Sequence, residues 1–97
     1  MFFIGDVLIK IDTRAWTSAS FDTRHHAMLV VNITEEGYPV VAHMKFTDFK
    51  YRTGSLIIEN CPTAKDLFLI HCPGFTQALR EQIVRFALQA HLNNRLL

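Results

Sequence analysis

The chain has no long apolar run. Its opening, MFFIGDVLIK, meets a charge at Asp6 after five residues, far short of the roughly 20 that cross a bilayer. No basic residue precedes that stretch, as one would in a secretory signal. Cysteine is scarce. Cys61 and Cys72 are too few for a disulfide framework, and they lack the C-x-x-C spacing of a zinc site. Charge of one sign is not concentrated anywhere: ten basic and nine acidic residues give a net charge of +1. Counterion release from a phosphate backbone needs a clustered basic patch, so Lys45, Lys50 and Arg52 read as a solvated rim and no nucleic-acid partner is expected. Three prolines and four glycines punctuate the apolar segments without forming a linker, and there is no internal repeat. These absences predict a cytoplasmic protein with reduced thiols and no transmembrane segment; secretion by a signal-less route stays open.

What is abundant is apolar side chain, 49% of 97 residues against 20% charged. The length allows one domain, and a domain this small leaves much of its surface uncovered. The apolar excess therefore predicts an interface, either with another copy in a homo-oligomer or with a further segment that covers the site.

Alternation places Val7, Ile9 and Ile11 on one face of a strand within residues 5–12. Residues 13–25 are rich in Thr, Ser and Asp and read as a loop, pinned to the body by Trp16 and Phe21. HAMLVVNI, 26–33, is a β-branched strand expected to be buried on both faces. TEEGYP follows as a turn, with Gly37 supplying the positive φ, and VVAHMKF, 40–46, makes the hairpin partner. SLIIEN (55–60) and DLFLIH (66–71) are two further strands, closed by Cys61-Pro62 and Pro73-Gly74. From Thr76, a suitable N-cap, Leu79, Ile83, Phe86, Ala87 and Ala90 recur at helical spacing, with Glu81 and Arg85 as an i,i+4 pair. The predicted fold is α+β: a small curved, mostly antiparallel sheet of about five strands followed by one C-terminal helix.

Five histidines need sorting. His91 suits the negative end of the helix dipole, and His71 falls in a turn. His25 and His26 open the second strand and His43 lies inside the third. If those strands pair, His26 and His43 are neighbours on one face, where one imidazole can hold the other in a fixed tautomer as an orienter does for a general base. The plainer alternative is two polar residues at the rim of a hairpin. The pair makes a poor metal site without a Cys, Asp or Glu ligand nearby, and neither metal nor cofactor is expected. A nucleophilic cysteine needs a helix N-terminus and a histidine to lower its pKa. Cys72 precedes the helix, but Pro73-Gly74 separates it from the first turn; Cys61 has no helix behind it.

The order of these features resembles the circularly permuted NlpC-type, papain-like cysteine hydrolases, a group related to lecithin–retinol acyltransferase-like proteins. Gly5-Asp6-Val7-Leu8 is similar to the family's opening strand, and Thr17 to Phe21 to the loop after it. His25-His26-Ala27-Met28-Leu29-Val30 resembles the strand that begins with the catalytic histidine, with His25 and Met28 in place of that motif's Ser and Gly. Gly37-Tyr38-Pro39-Val40-Val41-Ala42-His43 resembles the next turn and strand, where His43 takes the place of the third polar residue. Residues 66–92 are similar to the later strand and first long helix. The resemblance spans nearly all of the chain through short motifs. It implies a single permuted papain-like domain over 1–97 and a thiol hydrolase or acyltransferase acting on a peptide, amide or lipid-ester substrate. In that reading His26 is the general base and His43 its orienter. The family's nucleophilic cysteine sits on a later helix, so the resemblance implies a domain truncated before the cysteine-bearing segment. Cys72 then enters only as a relocated nucleophile. A different class is a non-enzymatic interaction module, dimeric and reusing the scaffold.

Overall fold

The structure, a computed structural model, describes residues 1–11, 25–48, 53–62 and 67–93. Five strands, β1 (Val7–Ile11), β2 (His25–Ile33), β3 (Pro39–Asp48), β4 (Thr53–Asn60) and β5 (Leu67–Ile70), precede one helix, α1 (Gln77–Asn93). They form a single open antiparallel sheet in the order β4-β3-β2-β1-β5. The α+β class and all six elements agree with the sequence reading. The loop expected at 13–25, with Trp16 and Phe21, lies outside the described residues except at His25, as do Lys50 and Arg52.

The β2–β3 hairpin closes where the sequence places it. Gly37 adopts φ +89°, its N–H donates to Thr34 O at 2.9 Å, and Thr34 Oγ1 accepts from Tyr38 N at 3.0 Å. A left-handed residue at this position is easy only for glycine. The ladder runs Leu29 opposite Ala42 and Val30 opposite Val41, then shifts by one residue so that Asn32 faces Val40. That bulge leaves Val31 buried and Asn32 exposed, so β2 is buried on both faces only in its middle.

Because successive strand residues point to opposite faces, the sheet carries two small cores. Leu8, Met28, Val30 and Val41 pack on one face, with Phe2, Cys61 and Leu67 against them. Val31, Ala42 and Val84 pack on the other, where α1 lies, with Leu29, Leu56 and Ala87 around them.

The helix begins as expected: Thr76 Oγ1 accepts from Leu79 N at 3.1 Å. Its rotation differs from the apolar periodicity. Phe86 is 79% exposed and Leu79 and Ala90 also face outward, while Arg80 and Val84 are buried and Ala87 and His91 half-buried. The stripe Arg80-Val84-Ala87-His91 has the spacing of one helix face, but two of its members are polar. Arg80 reaches back to the N-terminal turn, and His91 Nδ1 lies 2.9 Å from Leu56 O. Two polar anchors, one at each end, fix which face meets the sheet. Glu81 accepts from Gln77 at 3.3 Å rather than pairing with Arg85.

Candidate functional site

The ladder explains why His26 and His43 meet. Counting back from Leu29–Ala42 places His43 level with Met28, and His26 one pleat further along the same face. His26 Nε2 lies 2.5 Å from His43 Nδ1, with the rings edge to face at 80° and centroids 4.8 Å apart. On the other side, His43 pairs with Ile57 of β4. Glu59, two residues on, therefore shares its face, and Glu59 Oε1 lies 2.7 Å from His43 Nε2. A diagonal chain of three side chains thus crosses β4, β3 and β2 on the face away from α1.

The tautomers of the neutral rings follow from the acceptor end. An ionised carboxylate only accepts, so His43 Nε2 carries a hydrogen and donates to Glu59. His43 Nδ1 then holds a lone pair and accepts from His26 Nε2–H. The remaining nitrogen, His26 Nδ1, is left with a lone pair and no partner among the described residues. His43 is 5% exposed and locked; His26 is half-buried and can meet a second molecule.

Electrostatics support the same division. The hydrogen bond from His43 holds the Glu59 carboxyl below its ordinary value; burial opposes this, and Lys45, with Nζ 3.7 Å away, assists. Burial, then electrostatic repulsion from His43 and from the ammonium groups of Lys10 and Lys45, pushes the His26 imidazole below its ordinary 6.5. His26 is therefore neutral at neutral pH, as a base must be. The sign for stability follows. Below 6.5 the unfolded His26 takes a proton that the folded ring resists, so the unfolded state gains. Stability contributed by this residue is full above pH 6.5 and falls as the pH drops toward the lowered folded value. We expect urea midpoints to decline across that window in the parent and to flatten there in His26→Asn. An unchanged slope in the variant would show that other groups cause the acid lability.

Neither cysteine reaches this base. His26 pairs with Lys10, and Lys10 with Leu67. Cys72 lies five residues beyond Leu67, past the opposite end of β5, which is roughly 15 Å of strand length away. Its carbonyl accepts from Arg80 Nη2 at 2.6 Å, tying it to that far end. Cys61 N donates to Pro39 O, four residues along β3 from His43, or about 13 Å of strand. The relocated-nucleophile role that the sequence left open for Cys72 is not supported by this placement.

A second polar cluster was not foreseen. Asp6 is 1% exposed and accepts from Phe3 N at 2.9 Å, His71 Nδ1 at 2.8 Å and Arg80 Nη1 at 3.0 Å. Burial alone would raise the Asp6 carboxyl; the hydrogen bonds from Phe3, His71 and Arg80 outweigh it and hold the group below 3.8. Arg80 also donates to Ile4 O at 3.0 Å. His71 is thus a partner of a buried carboxylate rather than only a turn residue. This cluster joins the N-terminal turn, the end of β5 and α1, and its groups are spent on one another.

Among the described residues no group of three or more His, Cys, Asp or Glu is arranged to hold an ion. Among the described residues no helix is long and apolar enough to cross a membrane. Comparison with family models, curated proteins and solved structures finds no match to this chain.

Proposed function

We propose that Glu59, His43 and His26 form a general-base relay serving acyl transfer to a thiol, the chemistry of a thiol hydrolase or acyltransferase acting on an amide or ester. The observation that carries this reading is the unbroken chain Glu59–His43–His26 at 2.7 and 2.5 Å, which leaves one imidazole nitrogen free on a half-buried ring. His26 Nδ1 would take the proton of a thiol as the sulfur attacks the acyl carbonyl. The proton would return to the leaving oxygen or nitrogen as the acyl bond breaks. The positive charge gained by His26 would be shared through His43 with the Glu59 carboxylate, as a buried acid stabilises an imidazolium in a triad.

The resemblance to permuted papain-like hydrolases gives the same base and orienter roles to His26 and His43, and Glu59 adds a member that the resemblance did not name. An apolar cavity of about 430 Å³, lined by Phe2, Leu8, Cys61, Leu67 and Leu69 among others, opens on the same face, with none of the three relay residues in its lining. The nucleophile is neither Cys61 nor Cys72, so the test supplies one: transfer of the acetyl group from p-nitrophenyl acetate to 2-mercaptoethanol, followed by release of p-nitrophenolate. The parent is expected to accelerate transfer, and His26→Asn to lose the acceleration. Equal rates for the two proteins would refute the proposal.

A second reading rests on the edge strand. Phe68, Leu69 and Ile70 of β5 are 60%, 44% and 46% exposed, on a strand that has one side unpaired among the described residues. Uncharged edges of this kind invite pairing with another chain. An interaction module would show self-association without any His26-dependent rate.

A further inference from the structure

We infer that Lys10 and Lys45 make the approach to His26 an anion subsite, with Lys10 receiving a carboxylate or phosphate group of the substrate. This rests on the reading of His26 as the working base. Lys10 is the direct ladder partner of His26, and directly opposed residues share a face with Cβ atoms about 4.5–5.5 Å apart. Lys45, two residues from His43 along β3, lies on that same face. The base therefore sits on the middle strand of three, with an ammonium on each neighbouring strand.

The two lysines are not equivalent. Lys45 has a carboxylate, Glu59 Oε1, at 3.7 Å and is 56% exposed at its side chain. Lys10 is half-buried, and among the described residues no carboxylate lies within ion-pair distance of it. A cation placed directly across the ladder from the neutral His26 ring gains no cross-strand charge partner, and it opposes the protonation that a working base must undergo. An oxyanion seated between the Lys10 ammonium and the His26 ring removes that conflict. A lysine suits this, being a compact charge with three donors that can turn toward either a carboxylate or a phosphate. The substrate class is thereby narrowed to acyl compounds that carry a negative group near the scissile bond.

The test is binding, read at the histidine and independent of turnover. The full chain is titrated at constant ionic strength with inorganic phosphate, and separately with acetate, while the His26 ring resonances are followed by NMR. The expected result is a saturable shift of His26 with a rise in its pKa. Lys10→Met is expected to weaken binding about tenfold, the loss of one charge-assisted hydrogen bond, and Lys10→Arg to retain it. Response to acetate as well as phosphate assigns a general oxyanion site; response to phosphate alone assigns the phosphate group. If neither anion moves His26 up to roughly 0.1 M at fixed screening, or if Lys10→Met binds as the parent does, the inference is wrong. The two readings separate cleanly. A His26-dependent thiol transfer with no anion binding removes only the subsite, and anion binding with no His26-dependent rate removes only the base.

Discussion

Arg80→Met is expected to be the most destabilising single change in this protein. Arg80 is 4% exposed and donates to Asp6, Ile4 O and Cys72 O, while Asp6 is 1% exposed. Removing the guanidinium leaves a buried carboxylate with one charge partner fewer and two carbonyls without their donor. Breaking a buried pair in this way costs about 3–5 kcal/mol, a large share of the roughly 5–15 kcal/mol that holds a domain together. For a chain of about 100 residues this lowers the thermal midpoint by roughly 12–40 °C. Asp6→Asn added to Arg80→Met should recover part of the loss, because the residue left behind no longer carries a charge. A double-mutant cycle by thermal denaturation measures that coupling. A midpoint shift of less than about 5 °C for Arg80→Met would show that the cluster is incidental to the fold.

The second large effect concerns rate. His26→Asn removes the base and is expected to lower His26-dependent thiol transfer by roughly 10²–10⁴-fold, the usual range for a positioned general base. His43 and Glu59 act through His26, so their variants should lose less and lose it differently. His43→Leu removes the ring whose electrostatic repulsion, after burial, does most to oppose protonation of His26. The acidic limb of the pH–rate profile should therefore move to higher pH, a change that loose packing alone would not produce. Glu59→Ala frees His43 to adopt either tautomer. Glu59→Gln keeps an acceptor oxygen and should restore part of the rate. If the profile of His43→Leu superimposes on that of the parent, His43 does not tune the base.

Much of the fold was legible because its signals are local. Alternation in GDVLIKID, the β-branched run 26–33 and the Gly37 turn each specify their own segment. The histidine pair followed from the hairpin, since a tight turn fixes register and register fixes which residues share a face. Glu59 was missed for the complementary reason. Between the strands read at 40–46 and 55–60 the sequence has no tight-turn signature like the one at Gly37, so nothing local sets the pairing of His43 with Ile57, although alternation within SLIIEN would have offered Glu59 once that pairing was known. The helix rotation was misjudged because periodicity weighs only apolar residues. Here Arg80, 74 residues from Asp6, decides the face, and no local pattern records a contact of that span.

The most direct measurement is the tautomeric state of the two relay histidines, read from ring ¹⁵N shifts in long-range ¹H–¹⁵N spectra at pH 8, above the ordinary imidazole range. The relay requires both rings protonated at Nε2, with the His26 Nδ1 lone pair open to solvent or substrate. A His26 ring protonated at Nδ1 would point its lone pair at His43 instead, and the assignment of His26 as the working base would be contradicted.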